Sequence, residues 1–205
     1  MTTYHQRVAQ QKRALIVQAA TQLFLELGYD RASLARIAED AGVSKATLFK
    51  QFPTKAALFD AIVIDSWAGD ADAEVPPAGD LTAGLTVLGR HYAALLGRPG
   101  MVDLFRIVIA ELPRFPELAK AHFAEGKLPY FETVRAYLVA ERDAGTADIA
   151  DPQTAATQFL GMISNYLFWP RLVVPGWTVT PERAIAVVDD AVHTMVARYA
   201  RHGSR

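Results

Sequence analysis

Three observations predict that this chain is an all-α protein. Apolar residues recur at intervals of three and four along almost all of its 205 residues, which is the spacing of one face of an α-helix. Serine, threonine and aspartate, which cap helices, stand where these segments begin, and glycine or proline stands where they end. No segment alternates apolar and polar residues as a half-buried strand does. We therefore predict about nine helices, with three small ones forming an N-terminal domain and the rest a C-terminal helical bundle.

The first four predicted helices occupy residues 10–67. A capping residue precedes the first turn of the second, third and fourth helices. A glycine or proline follows the first, second and third. The predicted helices are residues 10–27, ended by Gly28; a short helix capped by Ser33 and ending at Ala41; a short helix capped by Ser44 and stopped by Pro53; and a helix capped by Thr54 that continues to Trp67.

A linker at residues 75–80, rich in proline and glycine, separates these helices from the bundle. Beyond it, the predicted helices are residues 80–96, 101–112, 116–143, 152–173 and 181–200. The helix at 116–143 contains Gly126 and Pro129 and is predicted to be kinked or split there. We predict a domain boundary after residue 54, giving an N-terminal domain at 1–54 and a C-terminal helical domain at 55–205.

The composition excludes several classes of protein. The chain has no cysteine, so it has no disulfide, thiolate metal site or cysteine nucleophile. No apolar run reaches the roughly 18 to 20 residues that span a bilayer, and the N-terminus lacks the apolar core of a signal peptide. The histidines lack metal-ligand spacing, and no phosphate-binding glycine motif is present. We expect a cytoplasmic protein with no membrane partner, no metal and no cofactor.

The charge is unevenly distributed along the chain. Residues 1–55 carry eight Lys or Arg against four Asp or Glu, whereas the remaining 150 residues carry thirteen against eighteen. A basic N-terminal segment on an acidic remainder indicates contact with a polyanion at one end of the molecule. A chance distribution of solvated surface charges is the alternative.

Residues 33–52 have the pattern of a DNA-binding helix-turn-helix. Two short helices flank Gly42, which adopts a positive φ at little cost. Apolar or small side chains fall where the two helices meet each other and the first helix: Ile37, Ala38, Ala41, Val43 and Leu48. Polar side chains on the second helix are left facing outward: Lys45, Thr47, Lys50 and Gln51. Short and cationic side chains of this kind reach bases and phosphates.

Two lysines are predicted at the first positions of helices. The helix macrodipole disfavours a cation at Lys45 and at Lys55 by about 0.3 to 1 kcal/mol. Phosphates approaching these helix N-termini would remove the penalty and bind the free N–H groups. Two solvated surface lysines are the alternative.

The run Gly28–Phe59, GYDRASLARIAEDAGVSKATLFKQFPTKAALF, resembles the signature of the TetR family. The resemblance implies a repressor that binds a palindromic operator in double-stranded DNA as a homodimer and carries a C-terminal domain for a small effector. Matching positions imply DNA contacts at Ser33, Lys45, Thr47, Phe49, Lys50 and Lys55, and we add Ser44 and Gln51 from the same motif. Phe49 stands where the family usually has tyrosine, so the phosphate contact of that hydroxyl is absent.

Residues 105–118 and 151–161 are similar, more distantly, to the AefR-type C-terminal domain of this family. Large aromatic and sulfur-containing side chains are dense in this part of the chain, and most must form the core. A subset would line a cavity for a small apolar effector. The candidates are Trp67, His91, Tyr92, Met101, Phe105, Phe123, Tyr130, Asn165 and Trp169.

The last two predicted helices each carry a broad apolar face. We predict that these faces pack against a second copy of the chain, and packing within the monomer is the alternative. The predicted interface residues are Phe159, Met162, Ile163, Tyr166, Val188, Val192, Met195 and Tyr199.

Two other classes of function compete with a DNA-binding regulator. The first is an enzyme with an apolar cavity and His91 or Asp103 as a base, for which the sequence offers no nucleophile–base pair. The second is an adaptor whose basic end neutralises another protein. Only the regulator accounts for the helix-turn-helix pattern, and only a regulator should enrich a palindrome from random genomic DNA.

Overall fold

The computed structural model describes residues 4–67 and 75–201, and these residues are almost entirely helical. One isolated bridge, between Ala147 and Ala200, is the β-type pairing found among them. The helices are α1 (Tyr4–Leu27), α2 (Leu34–Asp40), α3 (Lys45–Gln51), α4 (Lys55–Trp67), α5 (Leu81–Gly97), α6 (Met101–Glu111), α7 (Pro116–Ala121), α8 (Leu128–Asp143), α9 (Pro152–Leu167), α10 (Trp169–Val173) and α11 (Pro181–Tyr199). The all-α prediction is confirmed, and no described helix is long and apolar enough to cross a membrane.

The two additional helices arise where predicted helices are divided. Residues His122–Lys127 form a π-helical segment between α7 and α8, whose second residue is Pro129, and the predicted break at this point is confirmed. Residues 152–173 were predicted as one helix, but α9 ends at Leu167 and α10 begins at Trp169. Pro170 has no N–H to donate to the carbonyl of Tyr166, which explains the interruption.

The contacts divide the chain into two compact units, and the first is built from two stretches of sequence. The N-terminal unit comprises residues 1–66 and 103–126, and the C-terminal unit comprises residues 67–102 and 127–205. This division differs from the boundary predicted after residue 54. The reason is that α4 packs with the N-terminal helices: the Phe59 ring lies 6.4 Å from Phe24 and 5.8 Å from Tyr29.

The N-terminal unit has an apolar core formed by α1 to α4. Ile16, Ile37 and Leu48, from α1, α2 and α3, are each fully buried, and their burial holds the two short helices of the motif against α1. Such short helices are marginal alone, so packing of this kind stabilises them. The positions of both short helices are therefore fixed by the apolar core and not by local helix propensity.

The C-terminal unit is a bundle in which α9 packs against α5, α8 and α11, and α11 also packs against α5. Close approach depends on two glycines of α5: a Cβ on Gly84 would stand 1.9 Å from the Tyr137 hydroxyl, and one on Gly89 would stand 2.7 Å from Val188. Tyr137 also donates a hydrogen bond of 2.5 Å to the buried carboxylate of Glu141. Side chains of α8 and α11 thus pack into the space that Cβ atoms of Gly84 and Gly89 would occupy.

Candidate nucleic-acid interface

The segment between α2 and α3 forms the predicted tight turn. Gly42 has a φ of 63°, in the left-handed region, and its N–H donates to the Glu39 carbonyl at 3.0 Å. The N–H of Val43 donates to the Ala38 carbonyl at 3.0 Å, so the chain reverses directly into α3. The glycine predicted for this turn therefore has the conformation that the turn needs.

Both short helices begin at serine caps. The Ser33 hydroxyl accepts from the Arg36 N–H at 3.2 Å, and the Ser44 hydroxyl accepts from the Thr47 N–H at 3.1 Å. The Ser44 and Thr47 hydroxyls also share a hydrogen bond of 2.8 Å. These bonds satisfy donors at the helix N-termini and set the direction of each helix. Ser33 and Ser44 are exposed, and whether they also contact DNA stays a prediction.

The outer face of α3 brings together most of the predicted DNA contacts. Lys45, Phe49 and Lys50 are exposed, and Phe49 keeps 48% of its surface accessible. Thr47 and Gln51 are half-buried, and the Gln51 side chain donates to the Ala9 carbonyl of α1 at 3.5 Å. Leu48, on the opposite face, is fully buried. This arrangement gives α3 one side for docking and one cationic side for a polyanion.

An open groove of about 540 Å³ lies beside the start of α3 and is lined by residues of α2 and α3, among them Ser33, Arg36 and Lys45. Sequence reasoning did not select Arg36. Its guanidinium is exposed and pairs with Asp40 at 2.9 Å, one turn further along α2. A basic residue three positions after a predicted N-cap was the signal that could have identified it.

Lys55 lies at the first position of α4, as predicted, but its ammonium has other partners than a phosphate. The ammonium donates to the backbone carbonyls of Tyr29 at 2.7 Å, Asp30 at 2.9 Å and Ala32 at 3.1 Å. It also lies 4.6 Å from the centre of the Tyr29 ring. Burial lowers the pKa of Lys55 and raises the pKa of Tyr29 to about 12. Whether Lys55 also contacts DNA stays a prediction.

Replacing Lys55 with methionine should therefore reduce stability more than it reduces DNA binding through charge. The three carbonyls would lose a charge-assisted donor, which costs about 1 to 3 kcal/mol in the free energy of unfolding. Urea denaturation measures this change, and Lys12→Met, at an exposed lysine of α1, is the matched control. A stability equal to that of the control would contradict the structural role of the ammonium.

The predicted effector-binding residues are divided between the two units. His91, Tyr92 and Tyr130 lie together in the C-terminal unit: the Tyr92 and Tyr130 rings are stacked at 5.3 Å, and His91 meets Tyr130 edge-on at 5.4 Å. In the same unit, Asn165 and Trp169 are exposed. Trp67 and Met101 are buried, whereas Phe105 (half-buried) and Phe123 (exposed) belong to the N-terminal unit.

The two residues considered as catalytic bases belong to different units. His91 lies in the C-terminal unit, and Asp103, in the N-terminal unit, pairs with Arg106 at 3.3 Å. No group of three or more potential metal ligands occurs within residues 4–67 and 75–201.

Most of the predicted interface residues are buried within a single chain. In the C-terminal unit, less than a tenth of each of these side chains is exposed: Phe159, Ile163, Val188, Val192, Met195 and Tyr199. They form the core of the bundle, which is the alternative that the helical stripe left open. Met162 is half-buried, and Tyr166 is 37% exposed with Arg183 over its ring at 4.6 Å.

An exposed cationic helix, presented by a helix-turn-helix on a chain that continues into a separate helical unit, defines a DNA-binding transcriptional regulator. Comparison with known families agrees with this class. A family model described as the AefR-like transcriptional repressor C-terminal domain matches residues 83–201, and one described as bacterial regulatory proteins of the tetR family matches residues 16–62. The chain belongs to the TetR family of transcriptional regulators.

Individual relatives match along almost the whole chain. A TetR-family regulator from Pseudomonas syringae pv. tomato is 30% identical with a TM-score of 0.75, over 94% of this chain and 98% of that one. The flavonoid-responsive regulator FrrA is also 30% identical, with a TM-score of 0.73, over 95% of this chain and 100% of that one. An uncharacterised helix-turn-helix regulator of Mycobacterium tuberculosis is 26% identical over 89% of this chain and 87% of its own length.

Proposed function

We propose that the protein is a ligand-responsive repressor that binds a palindromic operator as a homodimer and leaves it when a small effector binds. The observation that carries this proposal is the exposed cationic face of α3 on a chain whose C-terminal part matches the AefR-like repressor domain. The effector would be largely apolar, because the C-terminal unit has an apolar and aromatic interior.

The motif itself favours a symmetric assembly. A single short recognition helix reads few base pairs, so specific recognition by this motif generally combines two half-sites. In a two-fold dimer the recognition helices reach successive turns of the same DNA face, about 34 to 36 Å apart or a multiple of this. The half-sites would then be inverted repeats.

A surface suited to a second copy extends from the end of α9 through α10 and the segment after it to the start of α11. It carries several large apolar side chains that are more than a third exposed: Tyr166, Trp169, Val173, Val174, Trp177 and Ile185. Single exposed apolar residues are common, but a group of this size in one stretch of a monomer is typical of an interaction surface. We assign the homodimer contact to this group and to Met162, in place of the buried residues.

Aromatic character is the feature that we propose for the effector. His91, Tyr92 and Tyr130 place three rings within contact distance, and the Tyr130 hydroxyl donates to the Leu88 carbonyl at 2.6 Å. Rings that stack with each other also stack with a planar aromatic ligand. FrrA, which matches 95% of this chain, is described as flavonoid-responsive. Planar phenolic compounds are therefore the class to test first.

Selection of bound fragments from random genomic DNA tests the proposed function. The intact protein should enrich fragments that share an inverted repeat, and a dimer should bind each of them. Protein carrying Lys45→Ala and Lys50→Ala is the matched control and should enrich none. Enrichment of fragments without a shared repeat, or of none at all, would reject the palindromic operator.

A flavonoid panel tests the effector. A compound that raises the melting temperature should weaken operator affinity by roughly 5- to 150-fold, the range of typical coupling energies, and the operator should weaken binding of the compound by the same factor. Tyr130→Leu should reduce this response and leave operator affinity without ligand unchanged, while Phe131→Leu serves as control. A compound that binds free and operator-bound protein with equal affinity is not the effector.

A further inference from the structure

The loop between α1 and α2, residues 28–32, sets the position at which the helix-turn-helix begins. Gly28 has a φ of 80° and ends α1 through a bond of 3.0 Å from its N–H to the Phe24 carbonyl. The N–H of Ala32 donates to the Gly28 carbonyl at 3.3 Å. Ser33, the cap of α2, follows immediately. Any displacement of this loop therefore displaces the first helix of the motif.

One side of the loop is held by α4. The Lys55 ammonium donates to three backbone carbonyls of the loop, those of Tyr29, Asp30 and Ala32. Because these acceptors belong to the main chain, this contact fixes the path of the loop whatever its side chains are. It accounts for only one side of the loop.

The other side is held by the turn that follows α6, residues 111–115. Arg114 pairs with Asp30 at 2.6 Å, and the Phe115 ring meets the Tyr29 ring edge-on at 5.1 Å. A Cβ on Gly28 would stand 2.8 Å from a carboxylate oxygen of Glu111. The turn is itself ordered, since the N–H groups of Arg114 and Phe115 both donate to the Glu111 carbonyl, at 3.0 and 2.8 Å.

The ion pair between Asp30 and Arg114 is expected to affect the position of the loop more than the stability of the fold. The Asp30 and Arg114 side chains are 39% and 62% exposed, and exposed ion pairs contribute little to the stability of a fold. The pair nevertheless joins the loop that precedes the motif to a turn more than eighty residues away in sequence. Its effect is therefore expected in the placement of the motif and not in the unfolding transition.

We infer that Arg114 and Phe115 are positioning residues of the DNA-binding site, which hold the α1–α2 loop through Asp30 and Tyr29 and so fix the placement of α2 and α3. The inference rests on the proposed function, because the effect appears in operator affinity. It also gives α6 a direct connection to the motif, since α6 begins at Met101 in the C-terminal unit and ends at the turn that holds the loop.

Two variants with opposite changes in charge test this inference. Asp30→Asn makes the protein more positive and Arg114→Gln makes it less positive, so simple attraction to DNA would raise operator affinity in the first and lower it in the second. Loss of the positioning contact lowers operator affinity in both, by about three- to tenfold. The urea midpoint should stay unchanged in both. The double variant Asp30→Arg/Arg114→Asp, which restores the pair, should recover operator affinity.

The matched control is a second exposed ion pair, between Asp103 and Arg106 of α6, whose side chains are 41% and 48% exposed. Asp103→Asn and Arg106→Gln should leave operator affinity within twofold of the parent. Opposite effects of Asp30→Asn and Arg114→Gln, a rise in both, or no effect in either would each overturn the inference.

Amide hydrogen exchange tests the same inference without DNA, so that it does not depend on whether an operator is found. Asp30→Asn and Arg114→Gln should both accelerate exchange of the amides at residues 28–37 and leave those of α9 and α11 unchanged. Unchanged exchange at residues 28–37 in both variants would reject the positioning role. Failure to bind any DNA, with accelerated exchange, would reject the proposed function alone.

Discussion

Protein carrying both Lys45→Ala and Lys50→Ala is expected to lose most of its affinity for every DNA sequence. The two ammonium groups stand on the exposed face of α3, and a dimer would lose about four phosphate contacts. Each contact contributes about 0.9 to the slope of log affinity against log salt. Between 50 and 200 mM salt, the parent protein should therefore lose roughly 150-fold more affinity than the variant.

The salt dependence separates this prediction from a general loss of folding. Lys120→Ala and Lys127→Ala remove exposed cations of α7 and of the π-helical segment, outside the helix-turn-helix, and should leave the slope unchanged. Thr47→Ala and Gln51→Ala should instead alter which bases are preferred, because their side chains carry no charge. A double lysine variant with the parent slope would remove α3 from the DNA contact.

Introducing a glutamate at Ile185 or Trp177 is expected to break the homodimer. Both side chains are more than 40% exposed, so the charge is tolerated in the free chain but would be desolvated in an interface. Loss of the second half-site removes the gain from bivalent binding, and apparent operator affinity should fall by about 100-fold or more. Sedimentation at micromolar concentration measures the dimer, and a binding titration measures the affinity.

Val87→Glu is the matched control for the dimer surface. Val87 lies on α5 and is 52% exposed, like the two test positions, but outside the apolar group of α9 to α11. This variant should remain dimeric. Ile185→Glu and Trp177→Glu proteins that stay dimeric would place the interface elsewhere, and a parent monomer that binds a palindrome tightly would reject the dimer itself.

The sequence predicted the helices well because their ends are determined locally. The Ser33, Ser44, Asp80, Asp151 and Thr180 side chains each accept a bond from an N–H of their own helix, so the signal and the structure involve the same few residues. The first helix begins at Tyr4, six residues earlier than predicted. The outward face of α3 followed from the same local spacing.

Contacts between distant parts of the chain were not predictable in the same way. The apolar stripe of α11 predicts that Val188 and Val192 are buried, as they are. It does not predict whether the side chains that cover them belong to the same chain or to a second copy. Lys55 carries no sign in its neighbours that its ammonium will bind a loop more than twenty residues earlier. Arg114 likewise pairs with Asp30 only because the fold brings the turn after α6 to that loop.

Because the N-terminal unit is built from two separate stretches of sequence, it cannot be joined to part of another regulator as a single segment. A fusion that joins residues 1–66 to the sensor half of a relative discards native residues 103–126, including Arg114 and Phe115, and substitutes whatever the donor supplies. Preserving this unit requires two donor segments, replacing residues 67–102 and 127–205 while the parental stretch between them is retained. Engineered biosensors built on this chain therefore need three junctions instead of one.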